Sequence, residues 1–177
     1  MSDLIIEYDS LPSTSLKAKE LVMEKCDPWT VVFSLEQTQG HGKSGVGWFS
    51  PRGGLYFSII LPQANIKDLQ IITVLAAFVV AKIIKENFDL EAMIKLPNDI
   101  LVNNKKFCGI LTENIISGDK IFSIIGVGVN TNIMDFPENL NPIATSVLIE
   151  AGRKVDNKSI LEKIVNELKS YFIEINN

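Results

Sequence analysis

A glycine-rich loop at residues 40–48, with the sequence GHGKSGVGW, could bind an anionic ligand. Its four glycines allow the backbone to approach a bound group closely, and Lys43 adds a positive charge. Exposed backbone amides beside a lysine are groups that bind phosphate. Most glycine-rich loops only turn the chain, so an ordinary surface loop is the alternative when this segment is taken alone.

A second run, KLPNDILVNNKKFCGIL at residues 95–111, is typical of two short strands joined by a Pro-Asn turn and followed by paired lysines. Lys106 could be a solvated strand residue, or a fixed cation that faces an oxyanion. Together the two runs predict a site that handles phosphate and an activated acyl group.

Two further features could contact a nucleotide. Trp48 could stack on a purine, or anchor the loop in the core, which is the commoner role of tryptophan. In GVGVN, residues 126–130, the missing side chains would admit a flat ligand at a strand end, and Asn130 could read a base edge. This run is not a dinucleotide-binding fingerprint, because a third glycine and a following helix are lacking.

The composition is that of a globular domain, with 177 residues of which 46% are hydrophobic. Lysine and arginine total 17 against 21 acidic residues, so we expect neither nucleic acid nor an anionic membrane as a partner. The acidic N-terminus is unlike a signal peptide, and residues 69–84 are too short a stretch to span a membrane. Two isolated cysteines favour neither a zinc site nor a disulfide framework, so we expect a cytoplasmic protein.

The hydrophobic pattern predicts seven strands and three helices around these features. The strands are expected at residues 4–8, 29–36, 55–61, 93–96, 100–103, 106–116 and 120–129, and the helices at residues 13–25, 67–88 and 156–175. Ser13 is a predicted N-cap, and Ser159 with Glu162 has capping-box spacing. Short turns between the later strands, predicted at residues 97–98, 103–104 and 117–119, favour antiparallel pairing. The predicted fold class is α+β, a mixed, largely antiparallel sheet with packed helices.

Assembly depends on where the apolar strand at residues 55–61 lies in the sheet. At a sheet edge it would be unpaired and would predict a homodimer formed side by side through it. A central strand, already paired on both sides, is the alternative.

Five blocks in this order, PSTS, EQTQGHGKSGVGWFSPRGGLYFSI, KLPNDI, KKFCGILTE and GVGVNTN, extend over residues 12–132. This arrangement closely resembles the catalytic domain of biotin protein ligases. The resemblance implies a class II synthetase-like biotin/lipoate ligase fold over residues 1–177. Many ligases of the family carry a small β-barrel at the C-terminus, but here we expect neither that barrel nor a helix-turn-helix before the first strand. It also implies that biotin and ATP, with Mg²⁺, form biotinyl-5′-AMP, which then acylates a lysine of the biotin carboxyl carrier protein of acetyl-CoA carboxylase.

The resemblance also implies roles for individual residues. Lys106 matches the family's central lysine between the biotin carboxylate and the α-phosphate, and Asp99 matches an aspartate near the acceptor lysine. Biotin contacts are expected at Ser13, Thr14, Ser15, Gln37, Gly40, His41, Gly42, Lys106 and Gly109. Contacts with ATP or the adenylate are expected at Lys43, Trp48, Lys95, Asn98 and Asn130, and the metal ligands are unassigned.

The chain departs from the family pattern in its glycine loop. His41, Lys43 and Val46 stand where three arginines are common, and Leu96 replaces the tryptophan of KWPND. Lysine keeps the charge but loses the forked hydrogen bonding of arginine, and valine loses both. A lipoate ligase or octanoyltransferase and a non-catalytic biotin or nucleotide binding module are the alternatives to a biotin ligase.

Overall fold

The computed structural model describes residues 4–61, 69–117 and 120–176, in which seven strands form one mixed sheet. The strands are β1 Ile5–Tyr8, β2 Val31–Ser34, β3 Leu55–Ile60, β4 Met93–Lys95, β5 Asp99–Val102, β6 Lys105–Ser117 and β7 Lys120–Val129. Their order across the sheet is β1-β2-β3-β7-β6-β5-β4. Only β1 and β2 are parallel among these pairs, which confirms the largely antiparallel α+β prediction.

Four α-helices lie in the described part of the chain: α1 Thr14–Met23, α2 Leu69–Phe88, α3 Val147–Ala151 and α4 Asn157–Asn176. The sequence pattern missed α3, whose five residues are too few for a periodic signal. The predicted start of α2 at residue 67 and the turn residues 118–119 lie outside the described residues. None of the described helices is long and apolar enough to cross a membrane.

Both faces of the sheet are covered by helices. Helix α1 packs on one face, where Ala18 and Val22 meet Val32, Ile60 and Ile124. Helices α2 and α4 cover the other face and the larger of the two hydrophobic clusters. Because side chains alternate along a strand, β3 directs Leu55, Phe57 and Ile59 into the larger cluster and the intervening residues towards α1.

Of the two positions considered for the strand at residues 55–61, the structure shows the central one, and the edge position is wrong. This strand pairs with β2 on one side and with β7 on the other, so its backbone groups are already used. All six of its residues are buried, which explains their apolar character without a partner subunit. The homodimer prediction required β3 to be an unpaired edge strand, so this structure gives it no support.

Backbone conformation sets several element ends that the sequence pattern missed. Trp29 has a φ of 65°, so it lies outside β2, and Lys25 with a φ of 64° follows the end of α1 in the left-handed region. The proposed capping box of α4 is wrong. Asp156 Oδ1 accepts instead from the amides of Lys158 and Ser159, at 3.1 and 3.2 Å.

Candidate active site

A cavity of about 320 Å³ opens where the start of α1, the glycine loop and the middle of the sheet meet. Hydroxyl and amide groups line one part of it, and charged groups line another. Its lining residues are Ser13, Thr14, Ser15, Gln37, His41, Gly42, Lys43, Val46, Gly47, Trp48, Asn98, Asp99, Lys106, Gly109, Ile110, Leu111, Gly126, Val127 and Gly128.

The polar part of the cavity is built at the start of α1. Ser13 caps the helix, as predicted, by accepting from the Leu16 amide at 3.4 Å. The next amide, of Thr14, donates to Gln37 Oε1 at 2.8 Å, and Gln37 Nε2 donates to Ser50 Oγ at 3.0 Å. Helix capping and the loop that follows β2 thus hold several hydroxyl and amide groups in fixed positions beside one another.

The charged part contains an ion pair between two residues of the β5–β6 hairpin. Lys106 Nζ lies 2.7 Å from Asp99 Oδ1. Asp99 Oδ1 is buried and has no hydrogen-bond partner among the described residues besides this ion-pair contact. The same ammonium lies 5.0 Å from the centroid of the Trp48 ring, within cation–π range. Lys106 is therefore held in place by a carboxylate and an aromatic face.

A β-bulge brings Lys106 into the cavity. Asp99 pairs with Gly109 and Ile100 with Cys108, but the next residue, Leu101, pairs with Lys106. Phe107 is the extra residue, and both Phe107 and Cys108 are buried in the core. Without the bulge, strand alternation would place Lys106 on the same face as Cys108.

Cys108, behind the charged part, is not a nucleophile. Burial raises the pKa of its thiol, so the sulfur stays neutral at physiological pH. No group of three or more His, Cys, Asp or Glu side chains in the described ranges is placed to hold a metal ion.

Trp48 occupies the space that two glycines leave open. A Cβ atom on Gly128 would lie 2.4 Å from Trp48 Nε1, and one on Gly109 would lie 2.9 Å from the same indole. GVGVN thus makes room for a side chain of this protein, where the sequence suggested room for a flat ligand. Trp48 Nε1 is buried and has no hydrogen-bond partner within the described residues.

The glycine loop is closed at its base and exposed at its tip. The Gly42 amide donates to Val46 O at 2.7 Å, and the Trp48 amide donates to Gly40 O at 2.8 Å. Lys43–Gly45 forms a short 3₁₀ turn in which Gly45 has a φ of 74°, a conformation that favours glycine. Val46 at the tip is 68% exposed.

Three predicted site residues do not line the cavity. A Cβ on Gly40 would lie 2.5 Å from Ser50 Oγ, so this glycine serves close packing. Asn130 is buried, and its Nδ2 donates to Thr145 O at 3.0 Å. Lys95 is exposed at the end of β4. The other predicted residues, Ser13, Thr14, Ser15, Gln37, His41, Gly42, Lys43, Trp48, Asn98, Asp99, Lys106 and Gly109, all lie around the cavity.

Several lining residues were missed by reasoning from sequence. Val46 and Gly47 belong to the loop already selected, whereas Leu111 and Gly126 face each other across β6 and β7. Strand alternation from Gly109 and Gly128 would have selected both, once the pairing of β6 with β7 was known.

The cavity can attract an anion although the chain as a whole is acidic, with a net charge of −4. Lys43 and Lys106 line it, against Asp99 as the one carboxylate among the lining residues. Fixed cations in a partly enclosed cavity stabilise negative charge more than they would in bulk water. The cavity thus offers hydroxyl groups that can bind a polar head group and cations that can bind an anionic group of the same ligand.

Comparison with known proteins identifies the family. The model of the biotin/lipoate A/B protein ligase family matches residues 6–130. The bifunctional ligase/repressor BirA of Bacillus subtilis (strain 168) is 39% identical over 170 residues, which are 93% of this chain and 52% of that protein. The biotin--[acetyl-CoA-carboxylase] ligase of Paracoccus denitrificans is 31% identical over 143 residues, 74% of this chain and 58% of that protein.

A solved structure extends the similarity to the whole fold. The biotin protein ligase from Aquifex aeolicus in complex with biotin and ATP superposes with a TM-score of 0.89 at 28% identity, covering 99% of this chain and 72% of that one. By the coverages given above, the chain spans about half the length of the two curated relatives. The family match over residues 6–130, joined to a cavity with fixed cations and a hydroxyl-lined end, shows that this chain belongs to the biotin/lipoate A/B protein ligase family.

Proposed function

We propose that this protein is an ATP-dependent ligase that activates biotin as biotinyl-5′-AMP and transfers the biotinyl group to a lysine of a carrier protein. The observation that carries the proposal is the cavity itself, in which hydroxyl groups and the Lys106 cation line different parts of one space. Biotin has a polar ureido head and a carboxylate tail, which match these two parts. Family membership and the complex of the Aquifex aeolicus relative with biotin and ATP support the same substrates.

In the first step, a biotin carboxylate oxygen attacks the α-phosphorus of ATP, and the bond to pyrophosphate breaks. Both reactants are anions, so the step needs cations that neutralise them as they approach. Lys106 is the central candidate, and Lys43 in the glycine loop is the second. An arriving anion competes with Asp99 for the Lys106 ammonium, which lies 2.7 Å from that carboxylate.

In the second step, the amine of the acceptor lysine attacks the acyl carbon, and AMP leaves. We propose that Asp99 binds the ammonium of the acceptor lysine before this attack, because Asp99 is the one carboxylate among the lining residues. The bound adenylate, an anion, draws Lys106 away from Asp99 and leaves that carboxylate available. The amine must lose a proton before it attacks, and a carboxylate beside it can accept that proton.

Mg²⁺ would enter this cavity with ATP. The residues fit a magnesium ion carried on phosphate oxygens and water, which needs only one or two protein carboxylates. Asp99 is the candidate ligand, with the Asn98 side chain beside it. When bound, the ion would neutralise charge on the phosphate groups.

We propose the biotin carboxyl carrier protein of acetyl-CoA carboxylase as the acceptor. The name of the Paracoccus denitrificans relative, biotin--[acetyl-CoA-carboxylase] ligase, supports this choice.

The proposal is tested by incubating the purified chain with Mg²⁺-ATP and biotin, and in parallel with lipoate or octanoate. We expect pyrophosphate release and a biotinyl-adenylate mass with biotin alone, followed by a mass increase of one biotinyl group on an added acceptor domain. Biotin binding without pyrophosphate release would identify a binding module. Adenylate formation with lipoate and not with biotin would assign the chain to lipoate activation.

A further inference from the structure

A continuous chain of hydrogen bonds connects the polar part of the cavity to a buried serine of the sheet. Ser58 Oγ lies 3.1 Å from Ser15 Oγ and 2.9 Å from Thr14 Oγ1. Thr14 Oγ1 lies 3.2 Å from Gln37 Oε1, and Gln37 Nε2 lies 3.0 Å from Ser50 Oγ. The chain ends at the carbonyl oxygen of Trp48, 3.0 Å from Ser50 Oγ.

The two ends of this chain determine the orientation of the Gln37 amide. The backbone amide of Thr14 can only donate, so the Gln37 atom 2.8 Å from it must be Oε1. At the other end, the Trp48 carbonyl can only accept, so the Ser50 hydroxyl donates its hydrogen bond to that carbonyl. Ser50 must then accept from Gln37 Nε2, which agrees with the first argument.

The donor direction of each remaining hydroxyl group can then be assigned in turn. Thr14 Oγ1 must donate to Gln37 Oε1, because two acceptors would repel each other at 3.2 Å. Ser58 must therefore donate to Thr14, whose proton is already used. Ser15 must in turn donate to Ser58. The Ser15 hydroxyl lines the cavity with its proton committed to the sheet, so it offers a ligand lone pairs only.

Ser58 itself does not line the cavity. It is fully buried in the middle of β3, between β2 and β7, on the face that α1 covers. Gly126 on β7 provides the space for its contact with Ser15. A Cβ there would lie 2.6 Å from Ser15 Oγ and 3.7 Å from Ser58 Oγ.

We propose that Ser58 is a specificity-determining positioning residue, which accepts the hydrogen bond of the Ser15 hydroxyl and so makes the polar part of the cavity select ligands with N–H donors. The inference rests on the proposed function, since the ureido ring of biotin carries such donors. A ligand with acceptor atoms at these positions would face the lone pairs of Ser15, and sites built to hydrogen-bond one partner reject such isosteres strongly.

The experiment compares the dissociation constants of biotin and of an analogue in which both ring N–H groups are replaced by oxygen, a cyclic carbonate. We expect the wild-type protein to prefer biotin by at least about 10³-fold. Ser58→Ala should lower this preference by about tenfold, because the freed Ser15 proton can then donate to a ring oxygen. Ser58→Thr, which keeps a hydroxyl, should retain the preference.

Ser34→Ala is the matched control. It removes an equally buried hydroxyl from the neighbouring strand β2, where Ser34 Oγ donates to Glu36 O at 2.7 Å and takes no part in the chain. The preference for biotin should be unchanged in this variant.

A double mutant tests whether Ser58 acts through Ser15. In a Ser15→Ala background, adding Ser58→Ala should change the preference by less than about twofold. Should Ser58→Ala alone fail to fold, Gly126→Ala, which displaces the Ser15 hydroxyl, should lower the preference in the same way. An unchanged preference in folded Ser58→Ala or Gly126→Ala, with biotin still bound, would overturn this inference alone. A wild-type protein that does not bind biotin would overturn the proposed function as well.

Discussion

At the residue scale, the site depends on Lys106 being held where an anion can reach it. Its ammonium contacts Asp99 and the Trp48 ring, and its backbone amide donates to Ile143 O at 2.8 Å. The adjacent Lys105 on the same strand donates instead to Asn141 O at 3.3 Å and does not line the cavity. The two lysines of the KKF sequence therefore have different environments.

Lys106→Ala should lower the rate of adenylate formation by about 10² to 10³, because one fixed donor to the reacting oxyanion is lost. The measurement is the initial rate of pyrophosphate release with biotin and Mg²⁺-ATP. Lys105→Ala should keep nearly the wild-type rate. A folded Lys106→Ala protein that forms adenylate as fast as wild type would show that this lysine is not part of the chemistry.

At the element scale, the glycine loop is anchored at its base by Trp48, and its tip is exposed. The anchoring comes from the contacts of Trp48 with Gly109 and Gly128 and from the Trp48 to Gly40 hydrogen bond. Lys43 near the tip lines the cavity. A bound adenylate would give the tip of the loop contacts that it lacks without ligand. Ordering the tip would cost conformational entropy, and the glycines of the loop increase that cost.

Limited digestion with trypsin tests this expectation. Cleavage after Lys43 should slow when biotin and Mg²⁺-ATP are added, because ordering of the loop removes the conformations that a protease needs. Cleavage after Lys154, an exposed residue between α3 and α4, serves as the control and should not change. Equal sensitivity at Lys43 with and without ligands would contradict the prediction.

The absence of arginine at positions 41 and 46 of the loop leads to a second prediction, about how slowly the adenylate dissociates. His41→Arg with Val46→Arg should slow dissociation of biotinyl-5′-AMP by about tenfold, because arginine offers forked, charge-assisted bonds to phosphate. The measurement is a chase of labelled adenylate. Met23→Arg with Ile173→Arg adds the same charge at two exposed positions outside the cavity lining and should leave the rate unchanged. Identical rates in all three proteins would exclude a role for loop charge.

At the scale of the whole molecule, buried neutral acids make stability depend on pH in alkaline solution. Tyr56 is fully buried and donates to Pro51 O at 2.8 Å. Burial raises the pKa of its phenol above the ordinary value of 10.0, and burial likewise raises the pKa of the Cys108 thiol above 9.0. Each group binds its proton more tightly in the folded state, so its contribution is complete below the unfolded pKa and is lost as pH rises above it.

The free energy of unfolding should therefore fall above about pH 9, with the tyrosine adding up to about 1.4 kcal/mol per pH unit above pH 10. Tyr56→Phe should cost about 1 kcal/mol at pH 8 through the lost hydrogen bond and should show a shallower alkaline decline. Urea unfolding at pH 8, 10 and 11 measures both effects. An alkaline slope in Tyr56→Phe equal to that of the wild type would contradict the assignment.

The sequence by itself determined the features that depend on a few neighbouring residues. Ser13 caps α1 as expected, and the turn at Asn103 and Asn104 joins β5 to β6 with both residues at positive φ. The blocks around Gln37, Lys43 and Lys106 also indicated the family, which the match over residues 6–130 confirms. Capping and turn formation are local, because their hydrogen bonds and torsion angles involve residues a few positions apart.

Only the tertiary structure decided which distant segments meet. The central position of β3, the bulge at Phe107 that turns Lys106 towards the cavity, and the hydrogen bond that draws Asn130 to Thr145 all depend on partners elsewhere in the chain. The chain of hydrogen bonds through Ser58 likewise joins α1, β3 and the loop after β2. Strand order and register are set by packing between segments far apart in sequence, and the local pattern of β3 fits an edge strand or a central strand equally well.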